Sequence, residues 1–142
     1  MSKKYSFVLN YIYEILLKHM NVYNKKITNL TRLNLSENIK ITDDEIKHLT
    51  NLTNLQLDYN HIITVGGLTY LTKLNKLSLH YSSSIHDIGI KNLTNLTKLI
   101  LGYNDKITNN GIKNLTKLIP LSLYDNCTIT NNIYFMNLNV YC

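Results

Sequence analysis

A chain of 142 residues, 44% hydrophobic and 17% charged, is long enough for one domain and too apolar for a disordered tail. Its 24 Leu, 21 Asn, 17 Ile and 14 Lys stand against one Arg, one Pro and no Ala, as a copied short pattern or an A/T-rich genome would produce. The formal charge of +6 raises the question of a nucleic-acid surface, while no apolar run reaches the ~18–20 residues of a bilayer span.

The start is basic, with Lys3 and Lys4, but Asn10 and Glu14 interrupt the next apolar stretch and no small-residue cleavage site comes after it. A secretory leader is therefore not expected, and the expected location is cytoplasmic, with no membrane association. Phe7, Val8, Tyr11, Ile12, Ile15, Leu16 and Met20 recur at helical spacing. They predict an amphipathic helix that, with its connector, fills 1–26 and caps the core of the remaining chain. The segment from Tyr13 to Lys18 also resembles part of the first helix of an F-box, which would make the chain a substrate adaptor of a ubiquitin ligase.

From residue 27 to 133 the chain repeats every 22 residues. Leu-x-x-Leu-x-Leu begins at Leu30, Leu52, Leu74, Leu96 and Leu118. Three residues past each set stand Asn38, Asn60, Ser82, Asn104 and Asn126, and three further on Ile41, Ile63, Ile85, Ile107 and Ile129. Leu-x-Leu is the alternation of a short strand with its leucines facing inward. An asparagine between buried leucines and a buried isoleucine can satisfy backbone groups where the chain leaves the strand. Asn38, Asn60, Asn104 and Asn126 are thus expected to form a ladder, with Ser82 as its weak rung. Asp43, Asp87, Asn109 and Asn131 then suit the N-cap of a short helix, a pattern that Val65 breaks. No unit can bury its leucines alone, so the units must stack into a solenoid.

At the far end Pro120 removes a backbone donor at the start of the fifth strand, which suits an edge strand. The stretch 134–142 reads as a C-terminal cap or a truncated repeat. Cys127 and Cys142, without CxxC spacing, form neither a disulfide framework nor a zinc site.

These units resemble the leucine-rich repeat family. The stretches beginning at Ile41, Ile85 and Ile107 are similar to the Ile-Thr-Asp-x-Gly-Leu segment of its cysteine-containing subfamily, and the 22-residue length is similar to internalin-like repeats. The resemblance implies an α/β solenoid: a right-handed coil with a parallel concave sheet, short convex helices and an N-terminal capping helix. It also implies protein binding rather than catalysis.

Residues between the inward leucines are expected on the concave face. The candidates for contact with a partner protein or peptide are Arg32, Asn34, Gln56, Asp58, Tyr59, Lys76, Ser78, His80, Tyr81, Lys98, Tyr103 and Tyr124, centred on the column Tyr59, Tyr81, Tyr103. Tyrosine is enriched at interface hot spots, though neighbouring rings in a column can also simply pack on each other. Arg32, Lys76 and Lys98 are offset there by Glu37, Asp58 and Asp125, and the surplus lysines fall elsewhere. That distribution argues against a nucleic-acid partner, which needs a contiguous basic footprint. Five strands of about five residues give a face on the order of 400 Å², half the ~800 Å² per partner of a standard interface.

No catalytic constellation emerges. His19, His48, His61, His80 and His86 lack metal-ligand spacing, and Asp43, Asp44 and Glu45 are the acids expected at a helix start. There is no phosphate loop and no nucleophile elbow. The expectation is a monomeric, non-enzymatic interaction module with no cofactor and no metal. The third alternative is a fragment of a longer repeat array without a specific partner.

Overall fold

The first four strands are three residues long, and the chain leaves the sheet at the turn that the following asparagine or serine closes. The computed structural model describes residues 29–82, 84–118 and 129, and the backbone of strands at 121–124 and 139–141. The N-terminal helix expected within 1–26, and with it the F-box resemblance, lies outside the described residues, as does Asn126. The strands are β1 (Arg32–Asn34), β2 (Asn54–Gln56), β3 (Lys76–Ser78), β4 (Lys98–Ile100), β5 (Leu121–Tyr124) and β6 (Asn139–Tyr141). They form one parallel sheet in chain order.

The 22-residue period is the register of that sheet. Arg32 pairs with Asn54, Asn54 with Lys76, and Lys76 with Lys98, so each position of the unit becomes a column running across the strands. β5 begins at Leu121, one residue after Pro120, which has no N–H to give a ladder. It is nevertheless no edge strand, since β6 pairs with it at Ser122↔Asn139 and Leu123↔Val140.

Between consecutive strands of the first five lie single-turn helices: α1 (Asp43–Ile46), α2 (Val65–Leu68), α3 (Asp87–Ile90) and α4 (Asn109–Ile112). Past each helix the buried residues recur every third position, as in Ile46, Leu49 and Leu52. The amide of Leu49 donates to the carbonyl of Ile46, and that of Leu52 to Leu49, both at 2.9 Å. Tight i→i+3 turns have three residues per turn, so a three-residue apolar spacing keeps one face inward. Leu55, Leu57 and Ile63 complete the inward set of the second unit, and each unit copies it into one continuous core.

The helix caps differ from the sequence-based expectation by one residue. Thr42, Thr64, His86 and Thr108 hold the N-cap position in extended backbone, and Asp43, Asp87 and Asn109 are the first helical residues. In α1 the Glu45 carboxylate accepts from the Thr42 amide at 2.7 Å, closing a capping box. Freed from its own cap, the Asp43 carboxylate reaches the next unit and accepts from the Thr64 amide at 2.8 Å and from the Thr64 hydroxyl. Asp87 does the same for Thr108, with both bonds at 2.7 Å. The acid thus caps its successor's helix instead of its own.

Candidate functional site

The candidate face is built on a ladder of buried amides. The Asn60 side chain donates to the carbonyls of Leu35 at 2.8 Å and Asn38 at 3.1 Å in the preceding unit. Its oxygen accepts from the amides of Ile62 and Ile63 at 3.0 and 2.9 Å. Asn38 and Asn104 accept from their own turns in the same way, and Asn104 donates to Ser82 at 2.7 Å. Ser82 is buried and makes one bond across the junction, from its hydroxyl to the carbonyl of Asn60 at 2.9 Å. A hydroxyl has one donor where an amide has two, so this rung ties the junction through a single bond.

This ladder fixes the backbone just before it. The amides of Asn38, Asn60, Ser82 and Asn104 each donate to the leucine three residues back, closing a turn. The residue before each of them has positive φ: Glu37 at 59°, Tyr59 at 55°, Tyr81 at 53° and Tyr103 at 54°. Positive φ is uncommon outside glycine and asparagine, and for a bulky side chain it is strained. The same residues stay locked to the sheet, since the Tyr59 amide donates to the His80 carbonyl at 2.8 Å and the Tyr81 amide to Gly102 at 2.9 Å. The tyrosines therefore stand on the turn rim, three residues past the strand ends, and not between the inward leucines of the strands themselves.

At that rim the three rings stack. Tyr59 and Tyr81 lie 4.9 Å apart at 14°, and Tyr81 and Tyr103 lie 4.3 Å apart at 13°. The His80 imidazole meets all three edge-on, with centroids at 5.5, 4.8 and 5.6 Å. A tyrosine pair stacked in this way contributes ~0.5–1.5 kcal/mol beyond its buried area. The stack is still 47%, 36% and 42% exposed at Tyr59, Tyr81 and Tyr103. Tyr81 has a ring on either side, so what it offers to solvent is its edge.

Several other candidates are committed within the fold. Asp58 accepts from the Ser78 hydroxyl and from the His80 amide, and Ser78 is buried. Asn34 accepts from the Ser36 amide at 2.9 Å. Arg32, Gln56, Lys76 and Lys98 are exposed, with Lys76 and Lys98 directly paired in the register. The side chain of Tyr124 lies outside the described residues. Among those residues no group of three or more His, Cys, Asp or Glu could hold a metal, and no helix is long and apolar enough to cross a membrane.

Sequence reasoning missed the positive φ of the tyrosine column and the Asp–Thr clamps between units. The first has a signal in the short Leu-x-x-Asn spacing, which a backbone turn must close. The second has one in the order Thr-Asp, with the better cap a residue earlier.

No protein-family model matches the chain, and neither does any curated protein. Among solved structures it is similar to internalin C2 from Listeria monocytogenes, with 29% identity and a TM-score of 0.63 over 80% of this chain and 51% of that one. It is also similar to the internalin encoded by inlF of the same organism, with 25% identity and a TM-score of 0.52 over 81% of this chain and 42% of the other. The chain thus spans about half, or less, of each of these structures. Register, amide ladder and structural likeness agree on the architecture: this chain is folded as a leucine-rich repeat solenoid of the kind seen in internalins.

Proposed function

We propose that this chain is a non-catalytic interaction module that binds a partner protein or peptide on the strand-bearing side of its solenoid. The observation that carries the reading is the exposed Tyr59–Tyr81–Tyr103 stack held at positive φ. Glycine would occupy those turns without strain, and Glu37 occupies the equivalent turn of the first unit, so the turn itself does not require tyrosine. Stacking offsets part of the strain, and a partner that covers the ring edges supplies a reason for the rest. The shared architecture with internalins supports the coarse reading of an interaction scaffold. Small area favours a peptide or a rim-assisted contact over a large flat one.

Capture from a lysate, comparing the wild type with Tyr59→Ala/Tyr81→Ala/Tyr103→Ala, tests the proposal. The variant is expected to keep its circular dichroism and lose specific partners. An unchanged set of captured proteins from the folded variant overturns it.

A further inference from the structure

The charges on the sheet face nearly cancel in sum but are separated in space. Lys76 and Lys98 are register partners on adjacent parallel strands, so two ammonium-bearing side chains leave the sheet ~4.8 Å apart at their bases. Like charges placed directly opposite each other destabilise a sheet. Neither has a carboxylate within 4.0 Å among the described residues, where the ion pairs are Lys47–Asp44 and Lys106–Asp105. Arg32 stands in the same column, with the uncharged Asn54 between. The carboxylate nearest along the second strand, Asp58, is occupied by Ser78 and the His80 amide. A cationic column is left on the strand-start side of the face, and the tyrosine stack lies on the other side. Five residues separate Lys76 from Tyr81 and Lys98 from Tyr103, which is ~16 Å of extended chain.

From this separation we infer the chemistry of the partner segment: an extended acidic peptide, with two neighbouring carboxylates on Lys76 and Lys98 and an apolar or aromatic residue some four to five positions along, on the edges of the stack. The inference rests on the protein-binding reading above and adds the class of ligand. Carboxylates would relieve the Lys76–Lys98 repulsion, and the positive edge of an aromatic ring suits an electron-rich neighbour. Single-stranded nucleic acid fits less well, because its bases need free ring faces. Both faces of Tyr81 are covered, by Tyr59 and Tyr103.

The test uses the full chain and a fluorescein-labelled peptide with two adjacent glutamates, a Gly/Ser spacer of three residues and a Pro-Phe pair, read by anisotropy. Binding is expected, with loss on raising the salt and loss for the same peptide carrying lysines in place of its glutamates. Lys98→Glu is expected to weaken the peptide about tenfold or more while raising the melting temperature, since it replaces a repulsive cross-strand pair by an attractive one. A residue that only supported the fold would move both readings in the same direction. Equal binding of the glutamate and lysine peptides overturns the inference, as does unchanged affinity in Lys76→Glu/Lys98→Glu or preferential binding of a labelled oligothymidine. If the tyrosine variant loses captured partners and the lysine variant keeps them, the acidic ligand is wrong and the protein-binding reading stands.

Discussion

The junction between the second and third units is tied differently from the junctions on either side of it. Between the first and second, Asp43 holds Thr64, Lys73 donates to Asn51 at 2.7 Å, and the Thr53 hydroxyl donates to the Thr31 carbonyl at 3.0 Å. Between the third and fourth the same three ties recur as Asp87–Thr108, Lys117–Asn95 at 2.7 Å and Thr97–Asn75 at 3.1 Å. The central junction has Val65 and His86 at the clamp positions, and among the described residues no side-chain hydrogen bond joins α2 to α3. Its ties lie at the tyrosine rim instead: Asp58 with Ser78 and His80, Ser82 with Asn60, and Ser84 with the His61 carbonyl at 2.8 Å. Near the strand starts Asn95 adds a bond to it, donating to the Thr72 carbonyl at 3.0 Å. Among the described residues the first four units therefore form two pairs, each tied by side chains at the helices and strand starts as well as by the amide ladder, while the pairs are joined to each other mainly along the rim that carries the candidate site. In a stack whose stability is a sum over neighbours, the joint between pairs is where side-chain ties can be moved without breaking either pair.

The largest expected effect destroys both kinds of junction. Leu79 is fully buried in the third unit, which takes part in the central joint and in one stitched pair. Leu79→Asp leaves an unpaired carboxylate in the core and should cost several kcal/mol, on the order of 3–5. Thermal melting is expected to lose its cooperative transition near the wild-type temperature, and unaltered melting would refute the register on which the comparison stands.

The next effect separates the junctions by sign. A Cβ on Gly111 would stand 2.5 Å from an Asp87 carboxylate oxygen and 3.1 Å from the Asp87 Cα, and one on Gly67 would stand 2.6 Å from Asp43. At Gly89, facing the central junction, the nearest atoms are side-chain carbons at 3.2 and 3.4 Å. Gly111→Ala should destabilise by about 1–3 kcal/mol through overpacking. Gly89→Ala should be neutral or slightly stabilising, because alanine is the better helix former by ~1 kcal/mol. Chemical denaturation of the two variants checks this, and equal losses would mean that the clamp does not set the packing.

A smaller effect asks whether the clamp can be moved. Val65→Asp with His86→Thr installs at the central junction the pair found at its neighbours, beside a glycine that already leaves it room. The double variant should gain about 1 kcal/mol, the net worth of a typical hydrogen bond, with no gain from either substitution alone. Hydrogen exchange at the amides of α3 should slow accordingly. A purely additive cycle would show that the central joint lacks more than these two side chains.

The repeat itself was legible because every inward position is copied: Leu55, Leu77 and Leu99 announce a column without any knowledge of their neighbours. The same holds for Asn60, whose four bonds come from being polar in a buried column. What a single position cannot show is which unit its side chain serves. Asp43 reads as a local cap, yet Thr42 takes that place and sends the carboxylate across 21 residues to Thr64. Tyr81 reads as a strand residue on an open face, yet the turn closed by Ser82 moves it to the rim. Ser78 and Asp58 read as two free polar groups, and they bond to each other only because the register brings them together. Misplaced residues of this kind are the ones whose partners lie in an adjacent unit, where period alone carries no directional information.

The smallest effect should leave the comparison untouched and so serves as its control. Lys47, the residue after α1, donates to Asp44 at 2.5 Å, and both groups are exposed and belong to one unit. The hydrogen bond and charge of Lys47 hold the Asp44 carboxyl below its ordinary value of 3.8, and the hydrogen bond and charge of Asp44 raise Lys47 above its ordinary 10.5. A carboxylate whose folded value is depressed contributes stability that is present above its unfolded value and is lost as pH falls through the folded one. For Lys47 the contribution is present below its ordinary value and is lost as pH rises through the raised one. Solvent screening keeps an exposed pair of this kind small. Asp44→Asn should therefore flatten the acid limb of the stability profile slightly and leave exchange at both the central and the flanking junctions as it was. If it loosens the first junction as much as Asp43→Asn does, the stitching resides in the general acidity of the α1 start. If it does not, it resides in the one carboxylate that reaches Thr64.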